Sequence, residues 1–288
     1  ALRKAVGQSA YRAYEGANTG GLNGVYWIKI LEERPDGLIV IENLGNIGKK
    51  KVPIIRAAIE PDLIYPLLRG RDIKPWYATS TVELLLLQNP EKRKGWSDFK
   101  MKTEFPNTYH YLKHFEENLR ERSGYKKYFN TEKDPFWSMY NIGNYTLSPY
   151  KVVWREQSNL LTCSVISSCK ILSNQDKVII PDHKVLFVPS QSKEEALFIS
   201  GILNSSIAQL IVKSYSIETS ISTHLTKNIF IPAFDYTNKL HNEIAAVSDQ
   251  LHEVPSSAEN MQNDLNNLCS ELWHLDEKEL NSVVRELN

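Results

Sequence analysis

Leu63-Ile-Tyr-Pro-Leu-Leu-Arg-Gly-Arg-Asp-Ile-Lys-Pro-Trp-Tyr77 is the stretch on which the reading of this chain turns. A short apolar run ends in Arg69-Gly70-Arg71-Asp72-Ile73-Lys74, and aromatic residues follow. Glycine at 70 lets the backbone take a left-handed or tightly turned conformation. Arg69, Arg71 and Lys74 cluster at that turn beside a single acid, Asp72. Such a group suits an anionic backbone better than a buried core.

Working outward, both flanks read as β-structure. Val25-Tyr26-Trp27-Ile28-Lys29-Ile30 is aromatic and β-branched, Pro35-Asp36-Gly37 signals a turn, and Leu38-Ile39-Val40-Ile41 supplies a partner strand. Glu83–Gln88, Lys151–Trp154, Cys163–Ile166, Lys177–Ile180 and Lys184–Val188 are further short strands punctuated by turns. A helix is predicted from Pro106 to about Ser123, with Leu112, Phe115 and Leu119 inward and the pairs Lys113–Glu117 and Glu116–Arg120 on its wet face. Lys193–Asn204 reads as another helix. After Asp235 the pattern changes: Leu240, Ile244, Val247, Leu251 and then Met261, Leu265, Leu268, Leu272 recur at spacings of four and three. Ser256 with Glu259 fits a capping box between them, and Asp276 with Glu279 fits a second one opening a last helix. The fold class is α+β: a mixed, largely antiparallel sheet body with packed helices over residues 1–235, then a C-terminal antiparallel helical hairpin and terminal helix over 236–288.

Net charge is zero over 288 residues, yet that is an average of unlike parts. Residues 1–235 hold 31 Lys and Arg against 24 Asp and Glu, a net +7; residues 236–288 hold 3 against 10, a net −7. A basic body is compatible with phosphate binding, and an acidic helical segment is not. Three cysteines (163, 169, 269) at no metal spacing read as free thiols of a reducing compartment. No apolar run approaches a membrane span, and no signal peptide is expected. The start at Ala1-Leu2-Arg3-Lys4, without methionine, reads as a segment of a longer protein.

No Walker loop, dinucleotide GxGxxG, HExxH or paired CxxC is present, nor an Asn/Asp-Pro-Pro-aromatic tetrapeptide. No catalytic, cofactor-binding or metal-ligating residue is therefore assigned. The cationic segments are Lys49, Lys50 and Lys51; Arg69, Arg71 and Lys74; and Lys92, Arg93 and Lys94, with Lys100 and Lys102 nearby, then Arg120, Arg122, Lys126 and Lys127. The first three groups are the candidate phosphate contacts. Aromatic residues interleave them, among them Trp76, Tyr77, Trp96, Tyr125 and Tyr128. Two loops between strands carry the side chains that read base edges: Arg for guanine, Asn and Gln for adenine. Their candidate readers are Arg155, Gln157 and Asn159 in one loop, and Asn174 and Gln175 in the other.

The chain resembles the C-terminal target-recognition (TaqI-like specificity) domain of adenine-N6 DNA methyltransferases and type II restriction-modification enzymes. The residues that carry the resemblance run in order. Gly16–Gly20 with Val25–Ile28 resembles the entry loop and first strand, and Leu67–Ile73 an LxGxDI signature. Phe105-Pro106 through Tyr111-Leu112 to Leu119 and Arg122 resembles the family helix, and Tyr150–Trp154 its PKI strand. Ala196–Ser205 resembles a helix ending in LNS, and Leu272–Glu279 the YGLTEEE ending. The sequence departs at Pro149-Tyr150-Lys151, where Pro and Lys are usually adjacent, and at Trp273-His274-Leu275, which lacks the usual Gly. The resemblance implies double-stranded DNA as partner and a prokaryotic, cytoplasmic parent. Such a parent's N-terminal domain methylates adenine with S-adenosylmethionine, alone, fused to or paired with an endonuclease. This segment would hold no cofactor and perform no catalysis. Two alternatives stand beside it: a metal-dependent nuclease using Asp182 and Lys184, and an interaction module acting through Ile244 and Leu268.

Overall fold

The computed structural model describes residues 2–173, 175–215, 221–254 and 258–287. In chain order its main strands are β1 (Tyr14–Glu15), β2 (Trp27–Glu33), β3 (Ile39–Asn43), β4 (Arg56–Ile59), β5 (Ile64–Leu68), β6 (Val82–Leu85), β7 (Tyr150–Arg155), β8 (Cys163–Ile166), β9 (Ile180–Pro181) and β10 (Val185–Ser190). A six-stranded sheet has the order β9-β5-β6-β2-β3-β4, parallel only where β9 meets β5. A four-stranded antiparallel sheet has the order β1-β10-β7-β8. The α+β expectation holds, and so do its strands, within a few residues.

β3 alternates buried and half-buried residues, as a strand with one covered face does. β7 is buried on both faces: Val152 and Trp154 face a helical layer, while Val153 packs with Leu68, Ile73 and Phe187. That double burial explains why Lys151-Val-Val-Trp154 reads as a continuous run.

The main helices are α1 (Asp98–Glu104), α2 (Pro106–Lys113), α3 (Lys193–Asn204), α4 (Ser206–Tyr215), α5 (Lys239–Glu253), α6 (Ala258–Leu272) and α7 (Glu277–Leu287). Here one expectation needs correction. The helix from Pro106 stops at Lys113, and Glu116–Arg120 and Ser123–Tyr128 follow as separate short helices. Phe115 and Arg122 leave helical geometry at the two breaks, and both side chains are buried there. Lys113 consequently pairs with Glu116 rather than Glu117, while Glu116–Arg120 forms at 2.8 Å. The start of α2 is capped from outside. Glu60 accepts from the Asn107 and Thr108 N–H groups, each at 2.9 Å, and from the Thr108 hydroxyl at 2.6 Å. Burial opposes the Glu60 charge, but those donors outweigh it and hold the carboxyl below its ordinary value.

α5 and α6 form the expected hairpin; the Ser256–Glu259 box lies outside the described residues. The Asp276–Glu279 box is present in both directions, at 2.8 and 3.0 Å. The hairpin does not stand apart. Ile244, Leu251, Leu265 and Val283 share one core with Phe198, Ile202, Val152 and Trp154. At Gly201 an added Cβ would stand 3.0 Å from Ile244 and 3.3 Å from Leu265, so the small residue permits the close approach of α3 to both helices. The change of pattern at residue 235 is thus a change of charge and periodicity inside a continuous core. Ile244→Asp is expected to destabilise the whole fold by about 3 kcal/mol or more, because it buries an unpaired carboxylate, as read by the urea midpoint. Among the described residues no single helix is long and apolar enough to cross a membrane. The α3–α4 pair passes only jointly, bent by 59°, with most of its apolar residues in this core.

Candidate nucleic-acid interface

The opening turn has its own architecture. β5 ends at Leu68, and Gly70–Asp72 make one 3-10 turn closed by the Asp72 N–H on the Arg69 carbonyl at 2.9 Å. Gly70 is not among the glycines with positive φ, and a Cβ there would make only ordinary contacts, 3.5 Å from the Lys184 carbonyl. The left-handed residue is instead Trp76, at φ 62°. It follows Pro75 at the tip between Ile73–Lys74 and Tyr77–Ala78, the position where a type II turn favours Gly. Burial of its ring, edge-on to His252 at 5.2 Å, offsets that strain.

Arg69 is spent inside the turn. Its guanidinium pairs with Asp72 at 2.8 Å and also donates to Thr81, and both ion-pair partners are nearly covered. Arg71 and Lys74 are exposed and make no ion pair among the described residues.

β7 then delivers the first reading loop to this turn. Arg155, paired in register with Val185, extends beside Gly70 and donates to the Ile73 carbonyl. The result is a cleft of about 470 Å³ lined by Lys74, Pro75, Arg155, Gln157, Ser158, Asn159, Leu160 and Thr162. Gln157 and Asn159 are exposed, and Leu160 keeps 58% of its surface open beside them. Ser158 is used locally, its hydroxyl donating to the Leu160 carbonyl at 2.7 Å. Glu156 turns away to pair with Lys184 at 2.6 Å. The cleft thus places a free cation at its rim and two amides and an exposed methyl-bearing side chain within it. These are the groups that contact phosphate, base edges and the thymine methyl. Leu160 and Thr162 join the lining from beyond the polar loop residues that the sequence singles out.

The remaining cations lie elsewhere. Trp27, Leu84 and Tyr65 align across β2, β6 and β5, and Leu86 bonds to Leu63 while Leu44 bonds to Trp27. Lys49–Lys51 and Lys92–Lys94 therefore follow the end of the sheet opposite Arg69. Five residues of β5 put roughly 16 Å between those ends. Each group can touch only a separate length of backbone. Lys94 is already paired with Asp134 at 2.8 Å, and Lys51 donates to the Asn46 carbonyl. Arg122, counted with the cationic segments from sequence, is 1% exposed.

The second reading loop tips the ribbon Ser168–Leu172/Gln175–Val178. Asn174 lies outside the described residues. Gln175 is half-buried, and the Ser173 N–H is held by Glu33 at 2.9 Å. Glu33 ends β2 at the same end of the sheet as Arg69 but two strands away, roughly 10 Å. Within the ribbon, burial draws Lys177 down to about 8, where its amine donates to the Pro61 and Asp62 carbonyls.

Asp182 and Lys184 do not converge on a shared ligand position. Asp182 is buried and holds His183 Nδ1 at 2.6 Å, which raises the His183 pKa; Lys184 points to Glu156. His110 and His114 are exposed on and just beyond α2. Among the described residues no group of three His, Cys, Asp or Glu is arranged to hold a metal ion.

No family model matches the sequence, and no curated protein matches it. Among solved structures, the chain is similar to the type IIL restriction-modification enzyme MmeI, determined in complex with DNA. The TM-score is 0.56 at 9% identity, over 96% of this chain and 36% of that one. The chain shares its fold with part of a restriction-modification enzyme. A weaker match is to the type IIG restriction endonuclease BpuSI, with TM-score 0.33 and 14% identity over 73% of this chain and 26% of that one. The chain spans about a third of the length of MmeI.

Proposed function

We propose that this chain is a sequence-recognition module for double-stranded DNA, of the TaqI-like target-recognition type, within a restriction-modification enzyme. The observation that carries it is the cleft: a turn and a loop some eighty residues apart in sequence meet so that Lys74, Gln157 and Asn159 line one cavity. The basic charge of residues 1–235 and the shared fold support the same reading. The parent, in this proposal, is a prokaryotic cytoplasmic adenine-specific methyltransferase. Its S-adenosylmethionine and catalytic residues belong to a separate N-terminal domain.

Binding of duplex DNA measured across a salt series tests this. Lys74→Ala and Arg71→Ala are each expected to weaken binding to all sequences alike and to reduce the log–log salt slope by about 0.9. Gln157→Ala and Asn159→Ala should instead redistribute sequence preference, by about 1–3 kcal/mol at the base concerned. Absence of any salt-dependent duplex binding by this chain or its parent removes the proposal.

A further inference from the structure

Apart from the Lys74–Arg155 cleft, a cavity of about 620 Å³ opens where three distant stretches meet. Glu15 and Asn18 come from β1 and the segment after it, Arg93 from the 88–95 ribbon, and Tyr128, Tyr140 and Asn141 from the far side. We propose that this cavity binds one unstacked nucleotide, its base on the tyrosine wall and its phosphate at Arg93.

The wall is rigid. Tyr140 meets Tyr128 at 5.8 Å and Phe129 at 5.9 Å. Gly20 and Gly124 lie against its hydroxyl, and a Cβ on either would fall 1.9 or 2.5 Å from it. Paired backbone bonds between Asn18 and Tyr140, both 3.1 Å, lock the two sides together. Tyr128, by contrast, is 64% exposed, with the Lys127 ammonium over its ring at 5.0 Å as a second cation beside the cavity. Base–aromatic stacking tolerates any base, because every base has a π-face.

The polar groups are complementary to a base edge. Asn141 donates to one Glu15 oxygen at 2.6 Å, and the Asn18 carbonyl is taken by the Gly20 N–H at 2.9 Å. What remains is a carboxylate acceptor on Glu15 and the amino donor of Asn18. An acceptor with a donor matches adenine or cytosine, each of which presents an exocyclic amine beside a ring-nitrogen acceptor. Arg93 lies along the Tyr145 ring at 5.9 Å and has N–H groups to spare for a phosphate. Arg93 and Asn141 are also two of the four non-glycine residues with positive φ among the described residues, at 55° and 58°. Backbone strain of this kind gathers where a ligand is gripped.

The source of the nucleotide is a nucleic-acid strand, and the test separates it from a free mononucleotide. A short single-stranded DNA with one central 2-aminopurine is titrated with the protein, beside a parallel titration with adenosine monophosphate. Saturable fluorescence quenching of the strand is expected, with Tyr128→Ala and Arg93→Gly each weakening it about tenfold or more. Glycine is chosen at 93 because it tolerates that φ. Lys74→Ala should leave the quenching unchanged, and Tyr128→Ala should leave duplex binding unchanged, so this site and the duplex cleft fail separately. Comparable binding of the mononucleotide would keep the site and reassign its source. No saturable binding of either probe, or both variants within twofold of the parent chain while still folded by thermal melting, overturns the proposal.

Discussion

Arg122→Met is expected to cost about 3–5 kcal/mol of folding stability, enough to leave a domain of ordinary stability marginal. The guanidinium is buried and, among the described residues, has no carboxylate partner. It is held instead by the carbonyls of Leu119 at 2.9 Å, Thr19 at 3.1 Å, Phe136 at 2.5 Å and Ser138 at 2.9 Å. Its charge also lies over the Tyr26 and Tyr125 rings at 5.6 and 5.7 Å. Methionine fills the volume but strands carbonyls from three segments without donors. Arg122→Lys should fail almost as badly, since three donors on a flexible stem cannot replace a planar fork. Urea denaturation of the two variants decides the matter; a loss below about 1 kcal/mol for Arg122→Met would show that these carbonyls do not depend on it.

Lys151 gives the second large effect, with the opposite sign. It is fully covered, it shares the Val153 face of β7, and among the described residues its amine donates to the Ser148 carbonyl alone, at 2.8 Å. Burial pulls its pKa down to about 7 from an ordinary 10.5. Between those values the unfolded chain binds the proton and the folded chain does not, so stability rises with pH through that window. Above pH 10.5 the cost is absent, and it grows as pH falls toward 7. From pH 7 to pH 9 the protein should gain about 2 kcal/mol from this group alone. Lys151→Met should stabilise it at pH 7 by about 4 kcal/mol, the whole cost of that shift, and flatten the rise. Denaturant midpoints at the two pH values test both statements, and an unchanged slope in the variant would assign the pH dependence to other groups.

These two residues show where reading by residue type stops. Arg122 sat in a run with Arg120, Lys126 and Lys127 and was counted with the surface cations; only the resemblance to a family helix singled it out. Arg69 was likewise half of a plausible phosphate contact until Asp72 and Thr81 were seen to hold it. Gly70 does open a tight turn, but the left-handed position belongs to Trp76. Arg122 finds its partners in distant segments, at Thr19, Phe136 and Ser138, whereas Arg69 is held by Asp72 three residues on.

The sequence alone determined the strand and helix periods, the change of pattern after residue 235, the charge split and the polar loops that hold the candidate base readers. Those properties are local: turn chemistry, alternation and helical spacing need no partner more than a few residues away. Only the tertiary structure decided which cations are free, because pairing and burial depend on contacts between segments far apart in the chain. It brought Lys74 to the cleft with Gln157 and Asn159, and left Lys49–Lys51 and Lys92–Lys94 at the other end of the sheet. It also built the Tyr128–Tyr140 cavity from three stretches whose residues carry no shared signal in sequence. Sheet register converts sequence distance into position, and register is a property of the whole fold.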